Sequence, residues 1–284
     1  MYIFADSGST KTDWIITSNE AKIINVFKTI GLNPYFVTHE RIIENINNSF
    51  PKNNIPAKIE KVFFYGSGCA DVDNHKHLRT ALQTYFFNAE INIFSDILGT
   101  ARATFKNSEG IATIIGTGTN SCLYNGNIIV QNAISLGYIL GDEGSGAYIG
   151  KKFAKLYLEQ KFDKSLNEKI KTETGADITT ILSAVYSEKH PNRFLASFCT
   201  FIKENIQHQQ LKDLIANAFD NFFEKYIIIY KNYQNYPIGF CGGVALNFKE
   251  QLVESAKKYD VKDIIFLDNP IMKLIEYHLA VKFT

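Results

Sequence analysis

The sequence predicts an α/β protein of two related halves, and three observations support that prediction. An apolar run at residues 4–14 is interrupted by a turn rich in glycine and hydroxyl groups, and residues 114–121 repeat this pattern. Alternating apolar residues predict strands on both sides of each turn, and helical spacing of apolar residues predicts helices elsewhere. With 284 residues, 45% of them hydrophobic and 21% charged, the chain is long enough for two globular domains.

The first half is predicted to begin with a strand hairpin around the first turn and then to alternate strands and helices. Strands are predicted at residues 2–5, 14–17, 23–29, 61–65 and 91–94. Helices are predicted at residues 38–49, 74–88 and 96–105. The first of these helices has isoleucines at helical spacing after Thr38, and the last opens at Asp96.

The second half is predicted to repeat this order with more helix. Strands are predicted at residues 110–115, 121–124, 127–130, 238–241 and 264–267. Helices are predicted at residues 151–160, 178–187, 192–207, 211–230 and 246–258, and Pro270 precedes a terminal helix. No low-complexity linker separates the halves, so we expect them to pack against each other with a cleft between them.

Both glycine turns are suited to bind phosphate oxygens. Clustered backbone N–H groups and small hydroxyls attract anions, and glycine permits the positive φ and the close approach that a Cβ would block. The candidate ligands are Gly8, Ser9, Thr10 and Lys11 in the first turn and Gly116, Thr117, Gly118 and Thr119 in the second. An ordinary hairpin turn is the alternative for each, but the repetition favours two halves that hold one polyphosphate. We therefore predict a nucleotide-dependent phosphotransferase.

Two aspartates are candidates for the chemistry. Asp6 directly precedes the first turn, where it would repel phosphate unless a hydrated Mg²⁺ lay between them. Asp96 begins a helix after an apolar strand, so it could accept the proton of an attacking hydroxyl as a general base. A carboxylate near a helix N-terminus stays ionised at neutral pH, as that role requires. The alternative is that Ser95 or Asp96 only caps the helix.

Two further glycine-containing motifs could bind ligand. Residues 137–146 place Asp142 and Glu143 between glycines, so the two carboxylates could bind the hydroxyls of a polyol, while Ser145 could cap a following helix. Gly242 and Gly243 follow an apolar strand and would let a flat ring approach the backbone. The glycine pair is the weaker of these two signals.

The charge and the N-terminus narrow the class of protein. A net charge of +1 provides no broad basic surface, which argues against binding to nucleic acid or to an anionic membrane. No apolar stretch reaches transmembrane length, and the strand pattern that starts at Met1 leaves no room for a signal peptide. We therefore expect a cytoplasmic protein.

The cysteines, histidines and clustered phenylalanines are expected to have structural rather than catalytic or metal-binding roles. Cys69, Cys122, Cys199 and Cys241 lack metal-ligand spacing, so buried free thiols are expected rather than a zinc or iron–sulfur site within one subunit. His75 and His77 lie in a polar run and are expected to be solvated. Six phenylalanines could supply a homodimer face, although core packing is the expected use of such helical spacing: Phe194, Phe198, Phe201, Phe219, Phe222 and Phe223.

These motifs resemble those of the sugar kinase, Hsp70 and actin superfamily, and within it the BadF/BadG/BcrA/BcrD ATPase group, which includes N-acetylglucosamine kinases. Residues 6–13 are similar to the first phosphate motif and residues 116–120 to the second. Residues 141–145 read Gly-Asp-Glu-Gly-Ser, the signature of that group, and residues 242–245 resemble its adenosine motif. The resemblance covers the whole chain and implies two ribonuclease-H-like (actin-like ATPase) domains with ATP in an interdomain cleft.

The same resemblance implies domain bounds and residue roles. The first domain would span residues 1–104, with a helix at 271–284 packed back onto it, and the second would span 105–270. Asp96 would be the catalytic base, and the amino sugar would be bound by Asn33, Asn120, Gly137 and Asp142. Thr10 and Thr117 would contact the phosphates of ATP, and its adenosine would be bound by Gly242, Gly243 and Ala245.

Three functions are weighed. The first is phosphorylation of an amino sugar with ATP and Mg²⁺, with N-acetylglucosamine and its 6-hydroxyl as the expected acceptor. The second is an ATPase activator of a 2-hydroxyacyl-CoA dehydratase type enzyme, which would hold an iron–sulfur cluster between subunits. The third is a sensor that binds sugar or nucleotide without catalysis. ROK-type glucokinases are set aside because this chain lacks their cysteine-rich zinc motif.

One segment departs from the family pattern. N-acetylglucosamine kinases usually have a Gly-Gly-Trp-Gly run before the acidic motif, whereas residues 133–137 of this chain read Ala-Ile-Ser-Leu-Gly. The sequence therefore leaves open which amino sugar is bound.

Overall fold

The computed structural model describes residues 1–51, 58–71, 73 and 75–281, which form two compact α/β units. Unit 1 consists of the described residues of Met1–Ser108, Gly126–Ile128 and Asn269–Thr284, and unit 2 of Glu109–Asn125 and Ile129–Asp268. Each unit contains one five-stranded mixed sheet. The predicted fold class, an α/β protein with two ribonuclease-H-like domains, is confirmed.

The described residues form ten strands and twelve helices, which we number in chain order. The strands are β1 (Tyr2–Ser7), β2 (Lys11–Thr17), β3 (Ile23–Ile30), β4 (Lys61–Gly66), β5 (Glu90–Ser95), β6 (Glu109–Ile115), β7 (Thr119–Asn125), β8 (Ile129–Asn132), β9 (Ile238–Cys241) and β10 (Ile264–Leu267). The helices are α1 (His39–Ser49), α2 (Lys76–Tyr85), α3 (Asp96–Phe105), α4 (Gly137–Leu140), α5 (Gly146–Leu158), α6 (Lys164–Thr174), α7 (Ile178–Tyr186), α8 (Pro191–Glu204), α9 (Gln209–Tyr226), α10 (Gly243–Asn247), α11 (Lys249–Lys258) and α12 (Pro270–Leu279).

The sheet of unit 1 has the strand order β3-β2-β1-β4-β5. Strand β2 pairs antiparallel with both β1 and β3, while β1, β4 and β5 are parallel to one another. The carboxyl ends of β1, β3, β4 and β5 therefore lie at the same edge of the sheet. The first glycine turn, Asn33 and Asp96 all follow directly from strands that end there.

Helices pack on both faces of this sheet. Because successive residues of a strand point to opposite faces, Ile3 and Ala5 belong to the core under α1 and α2, whereas Phe4 packs with Ile271 and Ile275 of α12. Asp6 shares the face of Phe4. Helix α12 also packs against α3, the helix that begins with Asp96.

The sheet of unit 2 repeats this topology with the order β10-β9-β6-β7-β8. Strands β6, β7 and β8 form the antiparallel part, and β6, β9 and β10 are parallel. The core expectation for the aromatic residues is confirmed. Five of the six phenylalanines considered for a dimer face are buried in the core of unit 2, and Phe194 packs against that core.

Several helix bounds differ from the predictions. Helix α5 begins at Gly146 rather than at residue 151, because Ser145 caps it by accepting the N–H of Tyr148 at 3.1 Å. The sequence does not reveal this start, because glycine is a poor helix former. Gly150 is nevertheless needed in α5, since a Cβ there would lie 1.8 Å from the carbonyl oxygen of Leu195 in α8. Helix α9 ends at Tyr226, not at residue 230. The predicted helix 246–258 is two helices, α10 and α11, which meet at a non-helical Phe248.

Other elements were missed or shifted. Helix α6 was not predicted, because it buries only two residues, Leu166 and Ile170, and two apolar positions are too few to show helical spacing. Its ends carried a signal, since Asp163 accepts the N–H of Leu166 at 2.9 Å and Gly175 ends the helix in the left-handed conformation. Helix α4 was also missed, and β8 covers residues 129–132 rather than 127–130, because the turn at Gly126 precedes it. Residues 74 and 282–284 of the predicted helices 74–88 and 271–284 lie outside the described residues.

The expectation of a solvated side chain is wrong for His75, whereas His77 is half-buried. His75 is buried, with Nδ1 3.3 Å from the carbonyl oxygen of Cys69, and Nε2 of His77 lies 3.0 Å from the carbonyl oxygen of Val37. Both contacts form because the chain around the start of α2 folds back onto neighbouring loops. The expectation of buried thiols is confirmed, since all four cysteines are buried and outside disulfides. No helix in the described part of the chain is long and apolar enough to cross a bilayer.

Candidate active site

The first glycine turn joins β1 to β2 and is held in shape by its neighbours. Its Gly8 N–H donates to the carbonyl of Lys11 at 3.0 Å. Gly31, just beyond β3, packs directly on the turn, where a Cβ would lie 2.4 Å from the carbonyl oxygen of Gly8, and its N–H donates to the carbonyl of Thr10 at 3.0 Å. The buried Ser7 hydroxyl accepts the N–H of Leu32 at 3.0 Å. The turn is therefore supported from β3 as well as from its own hairpin.

The ammonium group of Lys11 lies beside this turn but is paired. Its Nζ is 2.7 Å from Oδ2 of Asp13, and Nζ of Lys28 is 3.3 Å from Oδ1 of the same carboxylate. Lys11 is largely exposed. Because an exposed ion pair contributes little free energy, an incoming phosphate could compete with Asp13 for the ammonium group.

The helix cap and the candidate base are different residues. The hydroxyl of Ser95 caps α3 by accepting the N–H of Leu98 at 3.3 Å, which decides between the two residues considered for that role. Asp96 is the first residue of the helix, and its Oδ1 accepts the N–H of Ile97 at 2.8 Å. Burial raises the pKa of Asp96 to about 6, and the hydrogen bond from Ile97 opposes that rise.

Asp6 lies close enough to Asp96 to respond to its charge. Burial, the negative charge of Asp96 and that of Asp13 together raise the pKa of Asp6 to about 7, against the opposing effect of Lys11. Two carboxylates that resist simultaneous ionisation form a favourable place for a cation. The described residues contain no group of three or more His, Cys, Asp or Glu side chains that could hold a metal. Mg²⁺ fits such a donor set, because it commonly takes one or two carboxylates and completes its shell with water and phosphate oxygens.

Asn33 lies at the same sheet edge and is buried. Its Oδ1 accepts the N–H of Tyr35 at 2.9 Å, and its Nδ2 is 3.4 Å from the Ser67 hydroxyl. Gly68, at φ 80°, lies against the Asn33 side chain, where a Cβ would be 2.5 Å from Oδ1. The Ser67 N–H donates to the carbonyl of Ser7 at 2.9 Å, which ties this loop to β1.

The loop at residues 66–69 is a part of the site that sequence reasoning did not assign. It follows β4 and ends at Cys69, whose thiol pKa is raised to about 12 by burial and by the charge of Asp96. Two glycines after a buried strand were the available signal. Unit 1 thus brings together Asp6, the turn at residues 8–11, Asn33 and Asp96.

The second glycine turn joins β6 to β7 in unit 2. The start of α5 supports it, because the N–H groups of Gly146 and Ala147 donate to the carbonyls of Gly116 and Thr117 at 2.8 and 3.1 Å. Gly116 also donates its N–H to the carbonyl of Gly118 at 3.0 Å. Backbone hydrogen bonds therefore support the shape of the turn.

The glycine pair at 242–243 lies against the strand that leads into this turn. Gly242 has φ 101°, and a Cβ there would lie 2.6 Å from the carbonyl oxygen of Ile115. Gly243 begins α10, with no atom within 4 Å of an added Cβ, and Ala245 is buried in the same helix. The candidate adenosine residues thus adjoin the candidate phosphate turn of unit 2.

Asp142 lies beneath the same turn. Oδ2 of its carboxylate would be 3.0 Å from a Cβ placed on Gly118, and the nearby N–H of Thr119 acts to lower its pKa. Asp142 is buried, has φ 59°, and its pKa is raised to about 6, chiefly by burial. Asn120 follows Thr119 at the end of the turn, and its Oδ1 accepts the N–H of Ser121 at 2.8 Å. Gly137 lies before Asp142 in the sequence. It begins α4 with φ 71° and is half-buried.

Comparison with solved structures places this fold among sugar kinases. A candidate N-acetylglucosamine kinase from Porphyromonas gingivalis is 37% identical in sequence, with a TM-score of 0.93 and 99% of each chain covered. A candidate N-acetylglucosamine kinase from Chromobacterium violaceum has a TM-score of 0.74 at 14% identity, over 98% of this chain and 97% of that one. A ROK-family glucokinase from Streptomyces griseus, solved with glucose and AMPPNP, has a TM-score of 0.55 at 14% identity, over the same shares. The last two show a shared fold alone.

No protein-family model and no curated protein sequence matches the chain.

Proposed function

Because the chain belongs to the N-acetylglucosamine kinase-like family of sugar kinases, we propose that it transfers the γ-phosphoryl group of ATP to the 6-hydroxyl of N-acetylglucosamine. The observation that supports this proposal most directly lies in unit 1. There the sheet places Asp96, which is half-buried and has a raised pKa, at the same edge as a glycine turn and Asn33. A general base, a phosphate-binding turn and a hydroxyl-binding amide are the groups that this reaction needs.

Asp96 acts as the general base in this proposal. The oxygen of the sugar hydroxyl attacks the γ-phosphorus, the new O–P bond forms as the bond to the bridging oxygen of ADP breaks, and the hydroxyl proton passes to Asp96. A pKa of about 6 leaves the carboxylate mostly ionised at neutral pH and makes it a stronger base than an ordinary aspartate.

The two glycine turns bind the phosphates. The turn of unit 1 contributes the backbone of Gly8, Ser9 and Thr10 with the Lys11 ammonium group, and the turn of unit 2 contributes Gly116, Thr117, Gly118 and Thr119. The adenosine is bound by Gly242, Gly243 and Ala245. Gly243 has open space beside it, which allows a ring to reach the backbone.

Asp6 would hold Mg²⁺ through water. When bound, the ion neutralises charge on the phosphates and so favours phosphoryl transfer. A positive charge beside Asp6 would also lower its pKa from about 7, so that the carboxylate is ionised in the working enzyme. This assignment explains why two acidic groups lie beside a turn that binds anions.

The sugar hydroxyls and the N-acyl group are bound by Asn33, Asn120, Gly137 and Asp142. Asn33 is buried with both polar atoms oriented by neighbours, as a specific hydroxyl ligand should be. The segment at residues 133–137 lacks the tryptophan of the family pattern, so the sugars tested below differ in the acyl group.

The proposal is tested by measuring ADP release over a panel of sugars with ATP and Mg²⁺. The panel contains N-acetylglucosamine, glucosamine, N-acetylmannosamine, N-acetylmuramic acid and glucose, and NMR of the product locates the phosphate. We expect the highest kcat/KM with N-acetylglucosamine and a 6-phosphate product. A higher kcat/KM with another sugar would correct the substrate, and sugar binding without ADP release would indicate the sensor.

The activator hypothesis has its own test. A cluster held between subunits requires cysteines that can reach a partner, whereas all four cysteines of this chain are buried. Iron and absorbance measurements on protein purified without oxygen should therefore find no stoichiometric cluster. An iron-containing brown preparation would favour the activator.

A further inference from the structure

Tyr226, the last residue of α9, contacts the acidic loop through its phenol group. The phenol oxygen accepts the N–H of Asp142 at 3.1 Å, and the phenol lies close enough to Glu143 to respond to its charge. The side chain is buried, and that burial, with the charges of Asp142 and Glu143, raises the pKa of Tyr226. The hydroxyl is therefore neutral and able to serve as acceptor and donor at once.

The residue that Tyr226 holds has an unusual backbone conformation. Asp142 has φ 59°, a left-handed value that residues other than glycine seldom adopt. Such a conformation persists where surrounding contacts impose it. Here the hydrogen bond from the Asp142 N–H to Tyr226 is one such contact, and the close packing of Gly144 on Phe222, four residues before Tyr226 in α9, is another.

The loop is also held from α5. Nζ of Lys151 donates to the carbonyls of Tyr138 and Ile139 at 2.9 and 3.4 Å, just before the acidic residues. Helices α5 and α9 thus fix the loop on both sides of Asp142. The hydroxyl of Ser121 donates to the backbone carbonyl of Tyr226 at 2.7 Å, so the strand that begins at Thr119 is anchored to the same end of α9.

The glycine turn above Asp142 does not depend on Tyr226. Its carbonyls at Gly116 and Thr117 accept N–H groups from the start of α5, and Gly116 and Gly118 are hydrogen-bonded to each other. Loss of the Tyr226 hydroxyl leaves these backbone hydrogen bonds in place, so it should reach the turn only through Asp142.

We infer that Tyr226 is a positioning residue, which orients the Asp142 carboxylate for binding of the sugar acceptor. The inference rests on the proposed sugar kinase function and extends it to a residue in the core of unit 2. It predicts a larger effect on sugar binding than on nucleotide binding, because the hydroxyl of Tyr226 contacts the loop that carries Asp142 directly and reaches the phosphate turn only through that residue.

The test compares Tyr226→Phe with Tyr157→Phe. Tyr157 is a matched control, since it is also buried in unit 2 and its hydroxyl donates to a backbone carbonyl, that of Ala176, at 2.9 Å. Each substitution removes one buried hydrogen bond, so each should lower the melting temperature by a similar amount, about 2–4 °C. Any difference in kinetics between the two variants then reflects position.

We expect Tyr226→Phe to raise the KM for the amino sugar about 3- to 10-fold, the equivalent of one hydrogen bond, while the KM for ATP changes less than about twofold. Tyr157→Phe should leave both constants at the wild-type values. Equal kinetics for the two variants, or an equal rise of both KM values in Tyr226→Phe, would overturn the inference. Should Tyr226→Phe not fold, Lys151→Met loosens the same loop from the side of α5, because it removes the hydrogen bonds of Nζ to the carbonyls of Tyr138 and Ile139. An unchanged sugar KM in that variant would overturn the inference that the position of this loop sets sugar binding.

The wild-type assay separates the two proposals. Absence of sugar-dependent ADP release by the wild-type protein overturns the proposed function and this inference with it. Activity of the wild type together with an unchanged sugar KM in Tyr226→Phe overturns the inference alone.

Discussion

Asp6 and Asp96 show how a carboxylate partly removed from water can cost stability and serve chemistry. Each carboxylate has a pKa raised by burial, to about 7 for Asp6 and about 6 for Asp96, and the charge of Asp96 contributes to the first value. A protein optimised for stability alone would place amides there. The retained carboxylates are consistent with a site that gains a cation and a substrate proton during turnover.

Replacement of Asp96 by asparagine should remove the base and keep the fold. We expect Asp96→Asn to lower kcat by about 10²–10⁴, the usual contribution of a positioned general base, with ADP binding unchanged. Steady-state kinetics and nucleotide titration measure the two quantities. Asp263→Asn, a change at an exposed aspartate, is the control and should behave as wild type. Near-normal turnover by Asp96→Asn would remove Asp96 from the mechanism.

The raised pKa of Asp6 predicts a pH-dependent gain in stability for Asp6→Asn. The pKa of Asp6 is about 7 in the folded protein and 3.8 as an ordinary aspartate, so between these values the folded state binds more protons. Ionisation of Asp6 therefore destabilises the wild type as pH rises through this range. We expect Asp6→Asn to increase the free energy of unfolding by about 1–3 kcal/mol at pH 8 and by nothing near pH 4.

Urea denaturation without Mg²⁺ or nucleotide, at both pH values, measures this difference. A gain of the same size at pH 4 and pH 8 would contradict the assigned cause.

At the scale of elements, the candidate site depends on close contacts between turns and strand ends. The end of β3 touches the first glycine turn at Gly31, and the start of α5 touches the second. In both units the turn is positioned by an element outside its own hairpin. This explains how short glycine-rich segments, which have high conformational entropy when unfolded, can present a fixed set of N–H groups.

Gly31→Ala tests this dependence. The added Cβ would lie 2.4 Å from the carbonyl oxygen of Gly8, so either the turn or the end of β3 must move. We expect a loss of about 1–3 kcal/mol in the free energy of unfolding and a raised KM for ATP. Gly31→Ser should cost more, because its side chain is larger. Wild-type stability and ATP affinity in both variants would show that the contact is unimportant.

At the scale of the whole molecule, the two units share one topology but unit 1 is not continuous in sequence. One face of its sheet is covered by α12, which comes from the end of the described chain. Ile271 and Ile275 of this helix pack on Phe4 and Ile15. The strands of the first sheet are therefore far in sequence from the helix that covers one of its faces. The stability of unit 1 should depend on residues at the opposite end of the sequence.

Ile275→Ala should weaken unit 1. Ile275 is fully buried, so its truncation is expected to cost about 2–4 kcal/mol. The only tryptophan, Trp14, is buried in unit 1, so its fluorescence reports the unfolding of that unit in urea. Ile178→Ala, at a position that is 60% exposed, should change the value by less than about 0.5 kcal/mol. Equal midpoints for the two variants would show that α12 does not support unit 1.

The sequence alone determined the fold class, most strands and both glycine turns, because these depend on local properties. Periodicity of apolar residues marks strands and helices within a few residues of their bounds, and glycine with hydroxyl residues marks turns. It did not show that Ser95 rather than Asp96 caps α3, that His75 is buried, or that Gly146 starts α5.

Only the tertiary structure decided those points, and it also revealed the contact between Tyr226 and Asp142. These two residues are far apart in sequence, and a tyrosine in an apolar helix has the same local pattern whether or not it touches a functional loop. Such contacts depend on how elements pack, which no local pattern records. The raised pKa values of Asp6 and Asp96 have the same origin, because burial and the proximity of two carboxylates exist only in the folded chain.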